Sequence, residues 1–275
     1  MKSSPRATIP RELLWNLTLR ELRGKYKRSF LGWGWSLLNP IVFLGIYSFV
    51  FTVLFKQTAP VGNPSGIQVY PLFLVCGLLP WTYHSNCING AVQSLSMNVN
   101  LIRKVYFPRS ILPVSAVFSW LITFGIELLV LVSAFLITGH MVLQWIPMVI
   151  CVALLQTGFS LGIGLVATSL NAFYRDVEYL TNIVLQLWFW ATPVVWPPTL
   201  LLDRNPAPTV FGIKLITILQ LNPMYEFVEA YRNLLYDQTV PDLKRWVIMF
   251  VSAVLSVGLG ALVFRKVEPR LAEEL

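Results

Sequence analysis

No acidic or basic side chain occurs in the 46 residues from Gln57 to Ile102, nor in the 47 from Leu128 to Tyr174. Shorter charge-free runs cover Tyr179–Leu202 (24 residues) and Trp246–Phe264 (19 residues). A helix rises about 1.5 Å per residue, so about 20 apolar residues cross a hydrocarbon core about 30 Å thick. Runs of this length argue against a water-soluble enzyme. Composition agrees: 56% of the residues are hydrophobic and 12% charged, against about 25% charged in a typical soluble domain. A membrane barrel needs alternating segments of about ten residues, whereas these runs are continuous. The chain reads as a helical, multi-pass membrane protein.

The net charge of +8 would suggest nucleic acid on a soluble protein. Here the basic residues flank the apolar runs, so they set orientation and no nucleic-acid partner is expected. Cys76, Cys87 and Cys151 lie in apolar stretches without CxxC spacing and read as small core residues. The charged first thirty residues lack the short apolar core of a cleavable signal peptide.

Pro10–Lys27 predicts an amphipathic interface helix. Glu12, Asn16, Arg20 and Arg23 share one face, and leucines with Trp15 cover much of the rest. Six spans are expected after it: Leu37–Phe55, Val69–Leu95 with a kink at Pro80, Ile111–Thr138, Leu143–Leu170, Tyr179–Val195 and Trp246–Phe264. Between the last two, Val210–Leu221 and Met224–Tyr236 are each too short to cross. They are split by Asn222-Pro223 and read as a re-entrant hairpin, within 205–241. The whole chain, 1–275, is expected to form one transmembrane domain, with its six-span region at 37–264.

Six spans place both ends of the chain on one side. With alternate connections assigned to that side, it carries 15 of the 21 Lys and Arg residues. Both termini are therefore expected in the cytoplasm.

No phosphate-cradling GxxxxGK[ST], HExxH or GxSxG motif occurs. His84 and His140 are far apart in sequence, so no metal or cofactor site is expected. Glu127 is the only charged residue inside the expected spans. It reads either as a group with a transport role or as a carboxyl facing other helices. Such a chain looks like a conduit or scaffold that something cytoplasmic must drive. The basic, aromatic segment between spans two and three, 98–108, is the obvious place to receive that drive.

The run Asn100-Leu-Ile-Arg-Lys-Val-Tyr-Phe-Pro-Arg-Ser-Ile-Leu-Pro113 resembles the coupling-helix segment of polysaccharide-exporting permeases of the type-2 ATP-binding-cassette transporters. Lys25-Tyr-Lys-Arg-Ser-Phe-Leu-Gly-Trp-Gly-Trp35 with Leu38-Asn-Pro40 resembles the start of that family's first span. Phe173-Tyr-Arg-Asp-Val177 resembles its turn before span five, and Ala191-Thr-Pro-Val194 the end of that span. Leu221-Asn-Pro-Met-Tyr-Glu-Phe-Val-Glu-Ala-Tyr-Arg232 resembles its external hairpin. The five motifs occur in order over nearly the whole chain.

The resemblance implies an all-α membrane protein with six transmembrane helices, an interface helix, a coupling helix and an external re-entrant hairpin. It implies a homodimer in a bacterial plasma (inner) membrane, with two ATPase subunits beneath that bind ATP and Mg. The cargo would be a lipid-linked polysaccharide, such as an O-antigen, teichoic acid or capsule, and this chain would hydrolyse nothing. Asn100, Leu101, Ile102, Arg103, Lys104, Val105, Tyr106 and Phe107 would contact the ATPase. Leu31 and Gly32 would lie at the cytoplasmic mouth. Asn222, Pro223, Tyr225 and Glu226 would form the external gate. Sugars stack on aromatic faces, so Trp81, Tyr83, Trp188, Phe189 and Trp190 are candidates to line the glycan path, unless they belong to an interfacial aromatic belt. Three other readings stay open: a permease for a small lipid or drug, an embedded glycosyl- or acyltransferase using Asp203, Glu226, Glu229, Asp237 or Asp242, and a membrane scaffold.

Overall fold

The computed structural model describes residues 11–26, 34–54, 59–105, 107–202, 209–210 and 213–270. Leu31, Gly32, Tyr106 and Asp203 lie outside the described residues. The architecture is all-α apart from a two-residue antiparallel pair, Thr209–Val210 with Ile213–Lys214. In chain order the principal helices are α1 (Arg11–Tyr26), α2 (Gly34–Tyr47, continued by a π-helical segment to Leu54), α3 (Tyr70–Ser94) and α4 (Val99–Lys104). They continue with α5 (Ile111–Ile137), α6 (Ile146–Asn171), α7 (Val177–Trp190), α8 (Thr199–Leu202) and α9 (Leu215–Leu219). The last two are α10 (Pro223–Tyr231, continued by a π-helical segment to Asp237) and α11 (Leu243–Val267).

Among the described residues, 3 helices are long and apolar enough to cross a membrane: Ile111–Ile137, Leu143–Asn171 and Leu243–Val267. The expectation of six is therefore corrected. A charge-free run measures apolarity, not the length of a helix. α7 ends after 14 residues at a turn through Ala191 and Thr192, and a helix of that length is about 21 Å long. The α-helical part of α2 also has 14 residues. α3 has 25 residues, but its apolar first half gives way to Thr82, His84, Ser85, Asn86, Asn89 and Gln93. It runs through Pro80 as one helix.

Small residues set the packing. A Cβ on Gly162 of α6 would overlap the backbone of Ser256 on α11, and one on Gly260 would overlap Gly162. The two backbones therefore touch there, as small residues permit between apolar helices. Ser256 Oγ adds a 2.8 Å hydrogen bond to the carbonyl of Phe159. α3 lies against α5 and α6, and Gln156 of α6 donates 2.7 Å to the Pro80 carbonyl. The same amide's oxygen accepts from Tyr231 at 3.0 Å, so one side chain joins α3, α6 and α10.

Candidate functional site

At one end of the bundle, α1 packs along α5. Leu17 and Leu22 are buried and Glu12, Asn16, Arg20 and Arg23 are exposed, but Trp15, grouped with the leucines in the sequence, is exposed as well. Leu17 joins Leu95, Ile111, Leu112, Leu165 and Phe264 in one apolar cluster, and Leu101, Ile102 and Phe107 pack against it. The segment between α3 and α5 thus rests on a node shared by α1, α5, α6 and α11.

That segment opens with a 3-10 turn, Ser96–Asn98, and continues as the six-residue α4. Asn98 fixes it. Its side chain donates 2.8 Å to the Ser94 carbonyl and accepts from Arg20 of α1. At the far side of the segment, Arg109 meets Glu268 just past α11 twice. Its backbone N–H donates to Oε1 at 2.8 Å, and its Nη1 donates to the Glu268 carbonyl at 2.9 Å. Asn100, Arg103, Lys104 and Val105 face outward. Ile102, Arg103, Lys104, Val105, Phe107 and Arg109 line a groove of about 300 Å³. Three apolar and three basic residues line it, and of the basic ones Arg109 is engaged by Glu268. Lys25, near the end of α1, lies over the Trp120 ring at 3.2 Å from its centre. Burial lowers its ammonium from 10.5 to about 7.

At the opposite end, Asn222 caps α10. Its Oδ1 accepts from the Met224 N–H at 3.0 Å, and Pro223 follows at the first helical position, where it needs no donor. The same oxygen accepts from Trp188 Nε1 at 2.7 Å, and Asn222 Nδ2 donates to Thr192 Oγ1 at 2.9 Å. Tyr225, Glu226, Phe227 and Tyr231 are buried, so α10 descends into the bundle against α3, α6 and α11. Glu226 pairs with Arg245 at 2.7 Å. Arg232 is buried, pairs with Glu229 at 2.9 Å and sits over the Phe73 ring. Asp237 accepts from Asn233 at 2.9 Å and from the Asn63 N–H at 3.3 Å. Burial pushes the Asp237 carboxyl upward, against the pull of the Asn233 bond.

The aromatic candidates divide by environment. Tyr83 is buried, stacked on Phe124 and hydrogen-bonded to Thr157 at 2.7 Å. Trp81 is buried with its ring edge-on to Trp188 and Phe189. Trp190 is 63% exposed. Glu127 lines a separate cavity with Thr82 and Asn86. No group of His, Cys, Asp or Glu able to hold a metal occurs among the described residues.

Sequence reasoning did not assign Arg20, Asn98 and Glu268, the residues that hold the basic segment in place. Their signal was weak. Each is a polar residue beside an apolar run, and only folding pairs them. In the sequence, Arg245 carries only an orientation reading, and Arg232 adds to that only its place at the end of the hairpin motif. Two arginines near Glu226 and Glu229, in a chain this poor in charge, were the available sign of ion pairs.

A helical multi-pass permease with a short basic segment on a shared apolar node is the class these features define. Residues 12–236 match the ABC-2 type transporter family, and the chain belongs to it. It is thus a membrane permease, with ATP hydrolysis in a separate partner. Among its curated relatives, the O-antigen export system permease protein RfbA of Myxococcus xanthus is 29% identical over 269 residues, 96% of each chain. RfbA of Klebsiella pneumoniae is 28% identical over 265 residues, 96% of this chain and 95% of its own. The polysialic acid transport protein KpsM of Escherichia coli is 22% identical over 248 residues, 89% of this chain and 90% of its own.

Proposed function

We propose that this chain moves a lipid-linked polysaccharide from the cytoplasm outward across a bacterial plasma membrane, as a homodimer above two ATPase subunits. Near-complete alignment with O-antigen export permeases carries the reading, since 96% of each chain is matched in the first of them. The basic end is cytoplasmic. The positive charge collects there, and α1, α4 and the end of α11 are held together by Arg20, Asn98, Arg109 and Glu268. The groove beside α4 receives the ATPase, and the apolar node passes its movement to α1, α5, α6 and α11.

At the other end the hairpin gates the exit, with Asn222, Pro223, Tyr225 and Glu226 at its turn. Trp190 faces outward and offers a surface to sugars, with Trp188 and Phe189 behind it. Leu31 and Gly32 belong to the cytoplasmic mouth. The transferase reading loses support because Glu226, Glu229 and Asp237 are engaged in bonds that hold the hairpin.

The test is capture of the permease from its native membrane in mild detergent, combined with Arg103→Glu/Lys104→Glu. Co-recovery of an ATP-binding-cassette subunit and loss of surface glycan in the double variant are expected. Normal surface glycan in the double variant would overturn the coupling role. Loss of ATPase co-recovery from the wild type would overturn the transporter assembly.

A further inference from the structure

Glu127 sits inside α5, a helix apolar enough to span the membrane. Its carboxylate lines a cavity of about 100 Å³ with Thr82 and Asn86 of α3. Val75, Leu78 and Leu79 of α3 and Phe43 of α2 form the remaining wall. Thr82 donates to the Leu79 carbonyl at 2.9 Å, which leaves its oxygen free to accept. Neither Glu127 nor Asn86 hydrogen-bonds to another described residue. The Lys25 ammonium acts on Glu127 through its charge without a hydrogen bond, so the carboxylate and the Asn86 amide both still lack hydrogen-bond partners among the described residues of an apolar bundle, and both face one space.

The chemistry of that space is specific. It offers a carboxylate that accepts, an amide that donates and accepts, a hydroxyl oxygen that accepts, and the ring of Phe43. The ring's tilt is set by Tyr47, stacked at 6.0 Å between centres. Adjacent hydroxyls on a sugar ring present paired donors and acceptors, and the C–H face of the ring packs on an aromatic side chain. A cavity of this size holds about three waters. It therefore takes one edge of a pyranose while the rest of the chain lies outside it.

We propose that Glu127, Asn86 and Thr82 form a sugar-hydroxyl subsite that holds one residue of the glycan during passage, with Phe43 as its stacking wall. This rests on the polysaccharide reading above and adds a place where the cargo is touched. A metal ion fits less well, because a single carboxylate with one amide and one hydroxyl is a poor donor set for the common divalent ions.

The experiment is accessibility labelling in whole membranes. Leu78→Cys, on the apolar wall of the cavity, is placed in a Cys151→Ser background and reacted with a membrane-impermeant thiosulfonate in inverted and right-side-out vesicles. Vesicles come from cells that make the lipid-linked glycan and from cells blocked in its synthesis. Cys76 and Cys87 are buried, and the Cys151→Ser chain alone gives the background. We expect labelling in glycan-free vesicles and at least a five-fold slower reaction when glycan is present. Equal labelling in both would show a cavity that holds water only, and would overturn the subsite. Absence of labelling in both would show a cavity closed to water and glycan, with the same consequence.

Glu127→Gln keeps the shape of the side chain but replaces one acceptor oxygen with a donor NH2 and removes the charge, and a ten-fold fall in surface glycan with ATPase capture unchanged is expected. If Glu127→Gln is not recovered in the membrane, Asn86→Leu replaces it, with the same expectation. Normal export in the recovered variant would overturn the proposal. Failure of the polysaccharide reading itself is distinguished by cells that lack the permease. If those cells display normal surface glycan, the broader function is wrong. If they lose it while the pocket variant exports normally, only the subsite is wrong.

Discussion

Arg232 donates to the carbonyl oxygens of both Pro193 and Val194, at 2.6 and 2.7 Å. The guanidinium of the hairpin thus satisfies the turn that ends α7. Asn222 binds the same turn through Thr192 at the other end of α10, so hairpin and α7 are joined at two points. The space is tight: a Cβ on Gly77 would come within 2.8 Å of both Arg232 Nη2 and the Val194 oxygen.

Replacing Arg232 with Met leaves two buried carbonyls and Glu229 without their donor. Removing one partner of a buried, hydrogen-bonded ion pair costs about 3–5 kcal/mol, and a loss of that size is expected. Thermal unfolding in detergent is the measurement. Gly77→Ala, which crowds the same guanidinium, should shift unfolding in the same direction.

Trp188→Phe removes the indole donor to Asn222 while keeping an aromatic ring. The expected cost is about 1 kcal/mol, with a hairpin more open to cleavage by external protease. Cleavage rates of wild type and variant in right-side-out vesicles check this. Unchanged protection would mean that the Thr192 and Met224 bonds suffice to hold Asn222.

At the α6–α11 crossing, Gly162→Ala puts a methyl group into the backbone of Ser256, and a large loss of folded permease is expected. Gly158, one turn earlier, has room. A Cβ there would lie 3.5 Å from Val257, so Gly158→Ala should be recovered at wild-type yield. Size-exclusion profiles of the two variants separate a local packing effect from a general intolerance of substitution in α6.

Glu268→Ala frees the Arg109 backbone N–H and releases one of the two bonds holding the basic segment to α11. Export per ATP hydrolysed should fall several-fold while ATPase capture persists, because the exposed face of α4 is untouched. Paired measurement of glycan export and phosphate release in proteoliposomes reads that ratio.

Lys25 gives the protein a pH dependence. Burial brings its folded-state value from 10.5 to about 7, with the Trp120 face offsetting part of the cost of the charge. Between those two values the unfolded chain holds a proton that the folded chain lacks. Stability therefore rises with pH across about pH 7 to 10.5. Lys25→Met should flatten that rise and unfold at a higher temperature than wild type near pH 7.

Much of this was legible in the chain. Charge-free runs located α6 and most of α11, and the apolar stretch after Arg109, broken only by Glu127, located α5. Asn222-Pro223 announced the break in the hairpin, since an amide cap and an N–H-free residue are what a helix start needs. The 3.6-residue pattern set the inward face of α1. What the runs could not reveal was the end of α7, where Thr192 and Pro193 stop the helix inside an apolar stretch. Nor could they reveal the polar second half of α3, whose Gln93 reaches Glu178 at 2.8 Å. Pairings between residues far apart in sequence, Arg20 with Asn98 or Arg109 with Glu268, depend on the fold and leave no spacing to read.

The apolar node beneath α4 also has a history in time. Leu17 leaves the ribosome well before Phe264 and Val267, and all three meet at one cluster. The node is completed only when α11 has been inserted. A chain stalled or cut before that helix lacks the finished node. In the proposed assembly, docking of the ATPase beside α4 is thereby reserved for permeases in which α11 is already in place.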